Sequence, residues 1–278
     1  MKRRFGFHGS TAGALENAAQ EVAEAGGNTL QIFSASPRMW RGSIPPAANI
    51  TAMKKAREKH DLMPLVIHGN YLINLASRDE AIRHNSIHAF RAEIARAMLI
   101  GAEYLVFHPG SYKNQSVEDA IVAVKEGMRE AAHGLSSPSL TLLIENTAGQ
   151  GAALGSKLEE LAGIRRGVDA GFAVGYCLDT CHSFAAGYDL CTPGFITEVD
   201  QVLGWENVPV IHTNDSKGAR GSHLDRHAHI GHGEIGEAGF AFLLHEPTLL
   251  DKAFILETPD DEIRSHQGNL EKLKQLAI

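Results

Sequence analysis

The fifteen histidines of this 278-residue chain matter less for their number than for where they fall. Short runs rich in β-branched, aliphatic and aromatic residues are each followed at once by one of His8, Ser34, His68, His108, Glu145, Asp179, His212 and Glu257. All but Ser34 can ligate a metal ion. A single His or Asp at such a place ordinarily caps a turn or hydrogen-bonds a loop. Repetition at equivalent places asks for a shared purpose. Acids packed among histidines without a cation cost on the order of several kcal/mol per unpaired buried charge, and a divalent ion removes that cost. Mixed imidazole and carboxylate donors suit zinc, with manganese or iron also suited to the oxygen-rich positions.

Such residues meet only if the elements that carry them converge. The apolar runs at residues 4–7, 29–33, 65–67, 104–107, 140–144, 172–178, 208–211 and 253–256 are predicted strands, separated by segments of helical period. In residues 116–134, Val117, Ile121, Val124, Met128 and Ala131 recur at spacings of three and four, and Ser116 with Asp119 fits a capping box. Ser156 with Glu159 suggests a second box, Thr192–Pro193 a cap with a first-turn proline, and Gly26, Gly27 and Gly101 mark helix ends. Eight strand-then-helix units without a short repeat predict a single (β/α)8 TIM barrel spanning residues 1–278 as one catalytic domain. Its strand C-termini gather on one rim, where active sites of this architecture lie.

Further candidates lie beyond the strand ends. His182 follows Asp179 by three residues. The stretch from Thr213 to Gly236 is too long and glycine-rich for an ordinary barrel connection. Within it Asp225 and His227 share a side if the backbone is extended. His229 would share it too, and the Asp-x-His spacing favours His227 without excluding His229. His223 and His232 are expected as loop or supporting residues. Cys177, Cys181 and Cys191 form no CxxC pair, so neither a disulfide framework nor a thiolate zinc finger is expected. Cys181, between Asp179 and His182, stays a ligand candidate. No apolar run reaches membrane-spanning length, and the start lacks a secretory apolar stretch, so a cytoplasmic protein is expected.

Taken together, LLIENTAGQG, LDTCHSFAAGYD, HTNDSK and DRHAHIGHGEIG resemble the endonuclease IV family of abasic-site nucleases, and GFHGSTAGAL, QIFSASPRMWRG, HGNYLINLAS and FHPGSY extend the resemblance along nearly the whole chain. It implies three divalent ions, usually zinc. His68 and His108 would hold one, Glu145 would bridge it to a second shared with Asp179, His212 and Glu257, and His182, Asp225 and His227 would hold the third. The implied reaction is hydrolysis of the DNA backbone 5′ to an abasic site, leaving a 3′-hydroxyl and a 5′-deoxyribose phosphate, with 3′-end trimming as a further activity. Glu145 is the expected catalytic centre, because the ions it joins would activate the attacking water while the third steadies the leaving oxygen.

The partner implied is double-stranded DNA with an abasic site, with no membrane and no obligate protein partner. Arg38, Tyr71 and Leu72 would fill the stack left by the flipped nucleotide, and Lys217, Arg220 and Arg226 would meet phosphates. A formal charge of −7 is by itself ill suited to DNA, yet three divalent ions would bring the loaded protein near −1. Gly69–Asn70, Ala14 and Thr213 depart from the family's usual residues without removing a ligand. The alternative reading is a metal-dependent sugar-phosphate isomerase or epimerase, for which Glu145, Asp179, His212 and Glu257 would suffice. It leaves the other five ligand candidates without a task. A metal-storing or damage-binding protein with a closed site is a third reading, disfavoured because roughly three ligands per ion leave room for water.

Overall fold

Eight parallel strands close into a barrel in the computed structural model, which describes residues 2–278. They are β1 (Arg4–His8), β2 (Thr29–Phe33), β3 (Leu65–His68), β4 (Tyr104–Phe107), β5 (Thr141–Glu145), β6 (Ala173–Asp179), β7 (Val210–His212) and β10 (Ala253–Leu256), with β10 pairing back onto β1. A two-stranded antiparallel ribbon, β8 (Asp215–Ser216) and β9 (His227–Ala228), is inserted after β7. The helices are α1 (Leu15–Glu24), α2 (Ala47–His60), α3 (Glu80–Ile100), α4 (Val117–Ala132), α5 (Leu158–Arg165), α6 (Thr180–Ala186), α7 (Pro193–Val202), α8 (Gly236–His245) and α9 (His266–Leu276). Among the described residues no helix is long and apolar enough to cross a membrane.

Two apolar layers hold this arrangement. The larger lies between strands and helices and includes Leu65, Ile67, Phe107, Ile144, Leu178 and Ile211. The smaller fills the barrel with Val66, Val106, Leu143, Cys177, Val210 and Ile255. Side chains of a strand alternate faces, so the residue two places beyond each plug residue points inward again, one level higher. Those residues are His68, His108, Glu145, Asp179, His212 and Glu257. The buried plug is therefore the floor on which the polar cluster stands.

Most local expectations hold. Ser116 accepts the Asp119 N–H at the start of α4, Thr192 and Pro193 open α7, and Gly101 ends α3 in the left-handed region with φ 81°. Two differ. Ser156 does not cap α5: Lys157 stands at that position, the Leu158 N–H donates to the Tyr188 hydroxyl at 3.1 Å, and Glu160 accepts the Gly155 N–H at 2.7 Å. The seventh strand begins at Val210 rather than 208, because Val208 closes a 3₁₀ turn (Trp205–Asn207) and Pro209 has no N–H for the ladder.

Candidate metal centre and nucleic-acid rim

Glu145 is the hub of the floor. It is fully buried at the end of β5, and its two carboxylate oxygens face different neighbours. Oε1 lies 2.8 Å from His212 Nδ1 and 3.6 Å from His182 Nδ1, whereas Oε2 lies 3.2 Å from His68 Nε2 and 3.4 Å from His108 Nε2. Donor atoms within 4.8 Å of one another fall into the groups His68–His108–Glu145, Glu145–Asp179–His212–Glu257 and His182–Asp225–His227. All nine ligand candidates implied by the resemblance are thus brought together. A cavity of about 420 Å³ opens above them, lined by His68, His108, His182, Asp225, His227 and Glu257 together with His8, Phe33 and Tyr71.

The third group depends on the long insertion. Asp179 caps α6 by accepting the His182 N–H at 2.8 Å, which orients that helix's first turn toward the cavity. The β8–β9 ribbon then places His227 with Nε2 3.4 Å from Asp225 and 3.7 Å from Asp179. Buried Asp215 anchors the ribbon. Its carboxylate accepts N–H groups from Gly231 at 2.9 Å, Gly233 at 3.0 Å and Ile235 at 3.0 Å, folding the GHGEIG stretch around itself.

Electrostatics follow the crowding. Burial works against ionisation of Glu145, yet the charges on His108 and His212 hold its carboxyl well below the usual range. Glu257 is depressed against the same burial penalty by His212, His8 and His68. Burial opposes the charged form of His182 as well, but Asp179, Asp225 and Glu145 raise it to about 10. His68 is raised despite burial through its hydrogen bond and attraction to Glu145. Burial dominates at His108, which is lowered. Within the protein alone the acids therefore favour the charged forms of His68, His182 and His212, whereas burial keeps His108 lowered.

Several residues that complete this network were not expected. Gln31, on the inward face of β2, donates to Glu257 Oε1 at 2.6 Å and accepts from His212 Nε2 at 2.7 Å. Asn214 donates to Asp179 Oδ2 at 2.6 Å and accepts the Glu257 N–H at 2.8 Å. Asn146 accepts the Asp179 N–H at 2.6 Å. The signal for Gln31 was available: a polar residue at an inward parity position within TLQIF has to serve something inside the barrel.

The remaining candidates separate cleanly. His229 is turned away from the cluster, bonded to Asp261 through Nε2 at 3.0 Å and to Asn269 at its other nitrogen. Cys181 shares a 4.8 Å neighbourhood with Asp179 and His227, but burial first, and Asp179 next, push its thiol up to about 12, which disfavours the thiolate a metal needs. Ser34 faces Glu93 at 2.5 Å and Arg96 at 2.7 Å in a buried triad.

The rim is built by loops. Tyr71 is 59% exposed and rests edge-on against Phe33, with ring centroids 5.2 Å apart. Its N–H donates to the Pro37 carbonyl at 3.1 Å, and the Asn70 amide bonds the Met39 carbonyl and accepts the Leu72 N–H. The loop carrying exposed Arg38 and the loop carrying Tyr71 and half-buried Leu72 are thereby tied together. Lys217, just after β8, and Arg226, just before β9, stand exposed at the end of the ribbon, joined by the Lys217 N–H to the Arg226 carbonyl at 2.9 Å. Arg220 differs: its guanidinium is paired with Asp189.

Comparison with known proteins supports the barrel fold. Residues 19–277 match the family described as Xylose isomerase-like TIM barrel. The chain is 52% identical over 280 residues to a protein of Solibacter usitatus named probable endonuclease 4, covering 99% of this chain and 97% of that one. It is 39% identical to the solved structure of endonuclease IV from Thermus thermophilus, with TM-score 0.87 and 98% of each chain covered. A 3-keto-D-glucoside 4-epimerase from E. coli shares the fold alone, at 15% identity, TM-score 0.66 and 99% coverage of both chains.

Proposed function

Because the chain belongs to the endonuclease IV family, we propose that it hydrolyses the DNA backbone on the 5′ side of abasic sites, leaving a 3′-hydroxyl and a 5′-deoxyribose phosphate. The observation that carries this reading is the three-group arrangement around Glu145. A sugar epimerase on a related barrel would use one such group. It would leave His68, His108, His182, Asp225 and His227 crowded into the same cavity for no reason.

The residues fit divalent ions on their own chemistry. Mixed nitrogen and oxygen donors converge, and among the described residues buried His227 Nε2, which faces Asp179 and Asp225, has no hydrogen-bond partner. We assign three ions: one to His68, His108 and Glu145; one to Glu145, Asp179, His212 and Glu257; one to His182, Asp225 and His227. Zinc suits all three, and manganese or iron suits the oxygen-rich second group. When bound, the ions supply Lewis-acid stabilisation of the phosphate and lower the pKa of water at neutral pH.

The protein's own part is placement. Glu145 joins two groups through separate oxygens, so it sets their spacing. Gln31 and Asn214 hold Glu257, His212 and Asp179 by their outer atoms, which fixes the direction of the lone pairs facing the cavity. On the rim, Arg38, Tyr71 and Leu72 enter the space of the missing base and keep the sugar turned outward. Lys217 and Arg226 meet phosphates, and Arg220 can do so on leaving Asp189.

Incision of a labelled duplex carrying one tetrahydrofuran abasic analogue tests the reading, since that analogue cannot react by β-elimination from an aldehyde. Cutting on its 5′ side, lost on chelation and restored by zinc, with an extendable 3′ end, is expected. A folded, metal-loaded protein that leaves the duplex intact overturns it.

A further inference from the structure

Outside the barrel mouth, His84 and His88 stand one turn apart on α3, both exposed, with ring centroids 4.3 Å apart and planes at 66°. We propose that this pair is a separate, exchangeable binding site for an imidazole-seeking divalent ion of the zinc class. It is independent of the reading given for the central cavity.

The helix supplies rigidity. α3 is 21 residues long, and Asp79 caps it by accepting the Ala81 and Ile82 N–H groups at 2.9 and 3.0 Å. Ile87, Phe90, Ile94 and Ala97 bury its inner face against the core. The outer face is therefore fixed, and residues four apart on it are neighbours. Two histidines at this spacing on one helical face are a chelating pair, the same geometry by which helical zinc motifs present their imidazoles.

Nothing nearby competes. Among the described residues neither ring takes part in a hydrogen bond or ion pair. The flanking cations are committed elsewhere: Arg83 Nη1 to the Leu75 and Ala123 carbonyls, both at 2.8 Å, and Arg91 Nη1 to the Ala131 and His133 carbonyls at 2.9 and 2.6 Å. Glu80 stands one further turn toward the N-terminus at the same four-residue spacing, also exposed. It adds negative charge beside the pair and offsets the positive end of the helix dipole, whose reach ends within about the first turn.

Topology gives the pair its address. β3 rises to His68 and α3 returns to β4, so the first turns of α3 lie at the same end of the barrel as the central cluster. Two protein nitrogens leave the other coordination positions to water, so the ion exchanges readily. Affinity should follow the usual order for nitrogen donors, copper above nickel and zinc.

The test uses the zinc-loaded full chain with its central groups filled. Equilibrium dialysis against micromolar free zinc should leave one more ion on wild type than on H84A or H88A, while incision and thermal unfolding stay the same in all three. Copper(II) added to the zinc-loaded protein should give an electron paramagnetic resonance spectrum with two nitrogen couplings, reduced in either variant. Equal metal content in wild type and both variants, or a copper spectrum unchanged by H84A and H88A, overturns the assignment.

Discussion

At the floor of the cavity Glu145, Asp179 and His212 have no exposed side-chain surface, and both ring nitrogens of His212 are engaged, one by Glu145 and one by Gln31. On the rim Tyr71 and Met39 are each 59% exposed, and Arg38, Lys217 and Arg226 reach into solvent. The floor hangs from strands whose register is enforced by the core. A slip of one residue would replace the ligands by Ile67, Phe107, Ile144, Leu178 and Ile211 and drive polar groups into the helical layer. The rim hangs from loops joined by a few hydrogen bonds. Damage to the floor should therefore abolish turnover, and damage to the rim should weaken binding while leaving turnover at saturation.

Glu145→Gln is the sharpest break on the floor side. The amide keeps the shape but removes the charge that joins two ligand groups. Turnover of the tetrahydrofuran duplex should fall by at least the ~10²–10³-fold typical of losing a principal charge-stabilising group, with duplex affinity within a few-fold of wild type. Turnover close to wild type would remove Glu145 from the centre of the mechanism. Gln31→Leu is the next step down. It preserves volume but frees Glu257 and His212, so zinc retention or turnover should drop ~10–100-fold, the usual cost of losing a ligand's outer partner. Zinc content after dialysis and kcat measure it; if neither moves, Gln31 merely fills the barrel.

The floor was legible in the sequence for the same reason that it is rigid. A parallel barrel turns a one-dimensional rule, apolar run then ligand, into a three-dimensional ring, so His68, His108, Glu145, Asp179, His212 and Glu257 could be picked out before any geometry was known. What it left open lies where the chain leaves the strand pattern. The choice between His227 and His229 depends on a two-residue ribbon strand and on Asp261 and Asn269, far along the chain. The α5 start departs from the box pattern because the Tyr188 hydroxyl, distant in sequence, accepts the Leu158 N–H, while Glu160 reaches back past the helix to the Gly155 N–H. Arg220 reads as a free cation in sequence, and only the fold brings Asp189 to it.

Tyr71→Ala should act in the opposite sense to Glu145→Gln. Losing one aromatic contact with a base costs ~1–3 kcal/mol, so abasic-duplex affinity should weaken about tenfold or more, with kcat at saturating DNA nearly kept. The ring also borders the floor: burial first, then Glu257 and Glu145, push its hydroxyl up to about 12. A variant with intact affinity and reduced kcat would place Tyr71 with the floor and blur the division.

The smallest effect is expected at Arg220, and it sets the three basic rim residues apart. Lys217→Ala and Arg226→Ala each remove a charge free to meet a phosphate, so each should lower the salt slope of log Kd by about one. Arg220 must first leave Asp189, an exposed pair worth ~0–1 kcal/mol. Arg220→Ala also strips Asp189 of its partner, so any loss in affinity reflects an uncovered negative charge as much as a missing positive one. Asp189→Asn separates the two effects, because it frees Arg220 and should tighten binding slightly. A salt slope reduced by a full unit in Arg220→Ala, with no gain in Asp189→Asn, would mean that Arg220 abandons Asp189 whenever DNA is bound and belongs with Lys217 and Arg226 after all.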